Sequence, residues 1–418
     1  MSLPALPTED LDRDARLLFA TRAARMFGYG FLAVVLVLYL AAIGLNEGAI
    51  GLLLTLTLAG DTAISLWLTT HADRIGRRRV LGFGAVLMLA AGVVFALVRD
   101  PLVLVIAATI GVISPSGNEV GPFLAIEQAA LSQRLPGSRR TSVFAWYNLT
   151  GSVATACGAL AAGGLAQVLQ SSGSSPADSY RAIVIGYALI GALLAIAFMR
   201  LSPAVEVPPR EATEGPLGRF GLHRSGRVVL RLSALFSLDA FAGGLITQSL
   251  MAYWFAVRWG AEPAVLGAIF FGANILAAIS SLSAARLAAR FGLINTMVFT
   301  HLPSNVLLIF VPLMPNLPLA VLVLLARFSI SQMDVPTRQS YTMAVVEPDE
   351  RSAAAGVTGI ARTTGAAVSP IIAAPLFGVA ALAAVPFLLS GGLKIAYDLI
   401  LYRLFRSAPT PEEAAGTT

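Results

Sequence analysis

Residues 69–81 read Thr69-Thr70-His71-Ala72-Asp73-Arg74-Ile75-Gly76-Arg77-Arg78-Arg79-Val80-Leu81. One acid and four arginines gather here between two long apolar stretches, 47–70 and 79–98. Gly76 permits a tight turn. An apolar run of about 20 residues is long enough to cross the hydrocarbon core of a bilayer as a helix. The segment therefore reads as a charged hairpin joining two membrane-crossing helices, its arginines placed to meet phosphate headgroups. Asp73 is placed to accept from helix N-terminal amides or to pair with an arginine across the boundary between the two halves of the chain.

The rest of the chain continues this pattern. Of 418 residues, 56% are hydrophobic and 12% charged, with a mean hydropathy of +0.77. A soluble domain carries about 25% charged residues. Twelve apolar stretches are expected to span, at 17–45, 47–70, 79–98, 101–133, 141–170, 180–201, 228–257, 262–285, 292–313, 317–346, 352–378 and 380–404. Several exceed the crossing length, so tilt or projection beyond the bilayer is expected. Glycines and prolines inside them are tolerated where neighbouring helices satisfy the backbone.

Basic residues vote on orientation. With Met1 cytoplasmic, 22 of the 29 fall in cytoplasmic segments or span ends, including Arg22 and Arg25 near the start of span one. Three, Arg99, Arg181 and Arg258, fall outside; Arg327, Arg338, Arg362 and Lys394 lie within spans. This is the positive-inside bias of a cytoplasmic-membrane protein with both termini inside. The net charge of +6 then reports topology and anionic lipid rather than nucleic-acid binding. The acidic first sixteen residues lack the basic start of a signal peptide, so the first span is expected to be retained. Cys157 is the only cysteine, and His71, His223 and His301 are scattered, so neither a disulfide nor a metal or other cofactor is expected. Arginine outnumbers lysine 28 to 1, which suits a high-GC bacterial gene.

Residues 202–227, with four prolines and many charges, read as a cytoplasmic linker. It divides an N-terminal six-helix half (1–201) from a C-terminal one (228–406), leaving a short tail at 407–418. The halves repeat at an offset of 216: Gly28 with Gly244, Gly44 with Gly260, Gly51 with Gly267, Ala72 with Ala288, Arg74 with Arg290, Gly76 with Gly292. With six spans per half, both halves begin on the same side of the bilayer. The repeats are therefore parallel, related about an axis along the membrane normal. A pair of this kind predicts a cleft opened to alternate sides by rocking.

The loop resembles the G-x-L-A-D-R-x-G-R-R-x-x-L motif of the major facilitator superfamily. Asp73, Arg74, Gly76, Arg77, Arg78 and Leu81 match; Thr69 and His71 replace glycine and leucine. The degraded copy Ala288-Ala289-Arg290-Phe291-Gly292 fits the same resemblance. It implies an all-α membrane protein of twelve transmembrane helices in two pseudo-symmetric halves, acting as a monomer on a small solute. It also implies that the loop, through Asp73, Arg74, Gly76 and Arg77, gates the cytoplasmic side. Span five carries Gly151, Gly158, Gly163 and Gly164, a partial match to the superfamily's antiporter pattern without its proline. The match implies efflux, although close helix packing accounts for the glycines equally well. Span four lacks the arginine of the drug-antiporter branch.

An ionisable side chain at the bilayer centre costs about 2.5–3.5 kcal/mol, so each such group is expected to face a cleft or a partner. Asp334 with Arg338, and Lys394 with Asp398, stand at i,i+4 and are expected to pair on their own helices. Pro336 should kink span ten between the first two. Glu119, beside Asn118 (the offset partner of Asp334), has no cation at i±3 or i±4. A desolvated carboxylate without a partner picks up protons near neutral pH. Glu119 is therefore a proton-carrier candidate, with Asp239 or Asp334 second; the alternative is a carboxylate bonded to a cation on another span, such as Arg362. Glu127 is expected in a solvated or gating role and Asp61 near the loop motif. Arg22 and Arg25 are expected to snorkel to headgroups, and Trp146 and Tyr147 to anchor at the interface.

These features point to a secondary transporter of a small organic solute working by alternating access, coupled to protons and running as efflux. The rival within transport is proton-coupled uptake of an organic anion, with Arg338 and Arg362 binding its charged group. A non-transporting sensor on the same scaffold is the other alternative. No nucleotide-binding loop and no nucleophile or metal set with usable spacing is present, so an enzyme is not expected.

Overall fold

The computed structural model describes residues 12–134, 137–206, 224–347 and 350–406, and for 134, 137–142 and 352 the backbone alone. The acidic residues before Asp12, linker residues 207–223, the tail 407–418 and the side chains of Arg134, Arg139 and Arg140 lie outside it.

Fifteen α-helices make the twelve spans among the described residues. They are α1 (Arg13–Ala42), α2 (Glu47–Ile75), α3 (Arg77–Leu97), α4 (Pro101–Ile110), α5 (Phe123–Arg134), α6 (Gly137–Ser171) and α7 (Pro176–Met199). The chain then continues with α8 (Gly226–Gly244), α9 (Gln248–Trp259), α10 (Pro263–Phe291), α11 (Leu293–Phe310), α12 (Leu317–Phe328), α13 (Asp334–Ala344), α14 (Arg351–Gly378) and α15 (Val385–Phe405). Spans four, seven and ten are each two helices in series (α4 and α5, α8 and α9, α12 and α13), where continuous spans were expected.

The breaks have local causes. Residues 111–122 carry Gly111, Pro115, Gly117, Gly121 and Pro122, too many helix breakers to bridge. In span ten the break at 329–333 lies before Pro336, which sits in the first turn of α13, so the expected kink between Asp334 and Arg338 is displaced toward the N-terminus. A proline ring clashes with the carbonyl four residues back, here Gln332, and so stops the preceding helix short of it.

Side chains fix several helix starts. Asp12, Asn46, Asp100, Ser175 and Asn316 each accept from the amide three residues on, an N-cap that contributes about 1 kcal/mol. Two of these caps, Asp100 and Asn316, stand 216 residues apart. So do Gly76 (φ 103°) and Gly292 (φ 83°), each opening the helix after a loop in a conformation that L side chains rarely adopt. The 216-residue repeat seen in the sequence thus recurs in backbone geometry.

The chain divides into two compact units, residues 1–211 with 251–271, and residues 212–250 with 272–418. In the first, α1 lies against α6 so closely that a Cβ on Gly158 would stand 2.1 Å from the Phe27 carbonyl oxygen. The segment 251–271 belongs to this unit although it follows the linker in sequence. Tyr253 donates to Glu47 Oε1 at 2.9 Å, and a Cβ on Gly163 would stand 2.3 Å from the Pro263 carbonyl oxygen. In the second unit α8 and α14 pack in the same close way, with Gly365 against the Ser237 carbonyl. Leucines such as Leu102, Leu189 and Leu322 are exposed, as they are where lipid is the solvent.

Candidate functional site

Both units bury ionised side chains within their spans. In the first unit Arg25, completely buried, binds Glu127 with both Nη atoms at 2.7 Å and reaches Glu119 Oε1 with Nε at 2.9 Å. Arg22 gives Glu119 a second cation at 2.8 Å and donates from Nε to the Tyr147 carbonyl at 2.9 Å. The Tyr147 hydroxyl donates to Glu127 Oε2 at 2.5 Å. Each guanidinium also lies over a ring, Arg22 on Tyr147 and Arg25 on Phe123, both at 4.5 Å. Two arginines and two glutamates balance in charge, with paired, short, charge-assisted bonds.

This geometry corrects several expectations. Glu119 carries two cations, both from α1, rather than none. Arg22 and Arg25 are buried at 5% and 0% exposure and do not reach out to headgroups. Glu127 and Tyr147, expected in water and at the interface, have no exposed surface. In each case a partner on another span offsets the cost of burial, which spacing along one helix does not reveal. Asp61 accepts from the Gly121 amide at 2.7 Å and from Ser65 at 3.1 Å, so it serves the break in span four instead of the loop.

That break is closed by its neighbours. Besides Asp61, the Tyr29 hydroxyl donates to the Val120 carbonyl at 3.0 Å, and the Tyr187 hydroxyl donates to the Val112 carbonyl. Ser114 donates to the carbonyl of Asn118 at 2.7 Å, while the Asn118 side chain is exposed.

The second unit centres on Asp239 of α8. Lys394 Nζ lies 2.5 Å from its Oδ1, and Arg338 Nη1 lies 3.0 Å from its Oδ2. Arg338 also holds Asp334 at 3.1 Å, the expected i,i+4 pair. The expected Lys394–Asp398 pair is replaced: Lys394 turns to Asp239, while Asp398 accepts from Asn305 at 3.0 Å and sits 2.9 Å from His301 Nδ1. His301 Nε2 is 3.9 Å from Asp239, which completes a chain of groups from Asp398 to Asp334. Arg327 and Arg362 stand within electrostatic reach of Asp239 and Asp334. The Nε atoms of both arginines are buried without a hydrogen-bond partner. Counting these two, four fixed cations face three aspartates.

The loop motif keeps its charges local. Asp73 Oδ1 pairs with Arg77 Nε at 2.9 Å within the same turn, and Arg74 is exposed. The α3 N-terminal amides of Arg77 and Arg78 donate instead to Glu206, at 2.6 and 3.2 Å. Among the described residues Asp73 pairs with Arg77, and the α3 cap is held by Glu206 instead. Glu350 does the same for the Arg224 and Ser225 amides ahead of α8, at 2.7 and 2.8 Å.

Sequence reasoning brought out Asp239, Asp334, Arg338, Glu119 and Arg362 but missed Arg22, Arg25, Tyr147, His301, Lys394 and Arg327 as parts of these clusters. The signal was available as charge balance within the first half: Glu119 and Glu127 require cations, and Arg22 and Arg25 are the two arginines inside span one.

Comparison with known proteins completes the assignment. The Major Facilitator Superfamily profile matches residues 18–370. The uncharacterized membrane protein YJR124C of Saccharomyces cerevisiae is 32% identical over 422 residues, covering 94% of each chain. Among solved structures, a point mutant of the nucleoside transporter NupG superposes with a TM-score of 0.75 at 13% identity, covering 94% of this chain and all of that one. The inward-open xylose transporter XylE from E. coli gives 0.71 at 16%, covering 96% and 99%. A bacterial homolog of the human lysosomal transporter Spinster, inward-facing and occupied, gives 0.72 at 15%, covering 96% and 98%. At these identities the structures speak for the fold alone. The chain belongs to the Major Facilitator Superfamily and is a secondary transporter, not an enzyme.

Proposed function

We propose that the protein moves a small organic solute by alternating access, coupled to protons, in the cytoplasmic membrane with both termini inside. The orientation rests on the basic-residue bias, which stays at twenty against three once the buried Arg22 and Arg25 are set aside.

The observation that carries the coupling is Asp239 shared between Lys394 and Arg338. Both cations depend on its negative charge. A proton placed on Asp239 frees Lys394 and leaves Arg338 with Asp334 as its carboxylate partner, which changes which partners the buried groups can take. Glu119 is the corresponding candidate in the first unit, where a proton would loosen Arg22 and Arg25. Asp334, Arg338, Arg362 and Asn118 line the same two regions of sequence. In the loop, Arg74 is an exposed charge available for a gating contact, with the Asp73–Arg77 pair holding the turn.

Direction divides into two readings. Efflux by antiport follows from the glycines of span five. Gly158 and Gly163 meet Phe27 and Pro263 at close approach, and Gly151 lies against Arg22, so packing accounts for them. Uptake of an organic anion with protons is favoured by the excess of cations around Asp239 and by the unsatisfied Arg327.

The test uses the full chain in proteoliposomes. Solute-dependent flux under inside-acid and inside-alkaline gradients is compared for the parent and Asp239→Asn. The reading expects gradient-driven flux in the parent that the variant loses while solute counterflow persists. Gradient-driven flux that survives Asp239→Asn and Glu119→Gln alike would overturn the coupling assignment.

A further inference from the structure

Spans four and ten occupy equivalent places in the 216-residue repeat, and both are broken, yet the two breaks are filled differently. At 111–122 the exposed backbone and the acid are taken by Tyr29, Asp61, Tyr187, Arg22 and Arg25. At 329–333 the surroundings leave donors over. Arg327, in the last turn of α12, is 7% exposed; its Nε has no acceptor and no carboxylate pairs with it among the described residues. Ser331, one turn on and 3% exposed, has a hydroxyl without a partner. The Gln332 amide donates to Ser280 Oγ at 3.2 Å, so the backbone of the break is anchored while these two side chains are not.

A buried cation without an anion costs free energy that a partner recovers. Asp239 and Asp334 act on Arg327 electrostatically but do not bond it among the described residues, their oxygens being held by Lys394 and Arg338. We propose that the break in span ten is the solute subsite of the second unit and binds an anionic oxygen group, a carboxylate or a phosphate monoester, on Arg327 with Ser331 as second donor. This rests on the transporter reading and adds the substrate class. A guanidinium offers a planar fork matched to two oxygens, and a hydroxyl beside it takes a third. Arg362, with its own unpaired Nε, adds positive potential from α14.

The experiment uses the full-length protein in proteoliposomes and measures electrogenic currents and ligand-induced thermal shift. The probes are lactate, succinate, citrate, inorganic phosphate and glucose 6-phosphate, with uridine, xylose and tetraethylammonium as neutral and cationic controls. At least one anion should give a saturable response. Arg327→Gln should weaken its apparent affinity about 10- to 100-fold, the size of a lost hydrogen bond to a charged group. Arg327→Lys should fall between, because it keeps charge and loses the fork. Ser331→Ala should weaken it less. The melting temperature without ligand shows whether each variant is folded, and Ser331→Ala serves as the second variant should Arg327→Gln not fold. No saturable response to any anion, or an anion response unchanged by Arg327→Gln and Ser331→Ala, overturns the subsite. Proton-linked current with a neutral or cationic control, insensitive to Arg327→Gln, overturns it while leaving proton-coupled transport in place. An anion response sensitive to Arg327 but indifferent to any pH gradient supports the subsite and removes the coupling reading.

Discussion

Arg25 grips Glu127 through two bonds of 2.7 Å in a place where neither side chain has any exposed surface. Removing one partner of such a pair strands the other charge, at a cost of about 3–5 kcal/mol. Arg25→Met should therefore lower the melting temperature of the purified protein sharply. Replacing both partners by apolar side chains, Arg25→Met with Glu127→Met, should recover much of the loss. A double replacement no more stable than Arg25→Met would show that the pair contributes net stability of its own.

The Tyr147 hydroxyl completes the same carboxylate at 2.5 Å. Tyr147→Phe deletes only that bond, and a hydrogen bond to a charged group contributes about 1.5–3 kcal/mol. A drop in thermal stability of this size, smaller than that of Arg25→Met, is expected in the same assay. An unchanged melting temperature would count against the bond.

Two glycines of span five should answer oppositely to the same substitution. At Gly158 a Cβ would meet the Phe27 carbonyl at 2.1 Å, whereas at Gly164 nothing lies within 4 Å. Gly158→Ala forces α1 and α6 apart, a cost of roughly 1–3 kcal/mol or more. Gly164→Ala should be neutral or stabilising by about 0.5–1 kcal/mol through helix propensity. Size-exclusion recovery and melting temperature of the two variants decide it.

Glu206 caps the α3 N-terminus through the Arg77 and Arg78 amides. Glu206→Ala removes acceptor and charge together and should cost about 1–2 kcal/mol. Asp73→Ala, which loses only a half-exposed i,i+4 pair, should cost less than about 1 kcal/mol in stability. If the two variants melt alike, the capping role belongs elsewhere.

Much of the architecture was legible. The loop at 69–81, the repeat offset and the span count follow from apolar length and charge placement, and Gly76, Gly292, Asp100 and Asn316 carry the repeat into backbone geometry. Partner choice was not legible. Lys394 bypasses an acid four residues away for Asp239, 155 positions distant, because helix spacing says only which groups share a face. Glu119 finds its cations 97 and 94 residues back for the same reason. The break at 111–122 is written in Pro115, Gly117 and Pro122, but a lipid-embedded helix often accommodates one such residue, so each alone points to a continuous span. Several together, with Tyr29 and Tyr187 ready to take the carbonyls, turn accommodation into interruption.

Residues 251–271 come after the linker yet settle on helices that precede it, through Tyr253 with Glu47 and the Gly163 crossing with Pro263. Severing the gene at the linker would hence not yield two self-sufficient products. The downstream fragment, made alone, would leave Tyr253 and the Pro263–Gly267 crossing uncovered and invite degradation, whereas synthesis of both fragments in one cell should restore a complex that co-purifies.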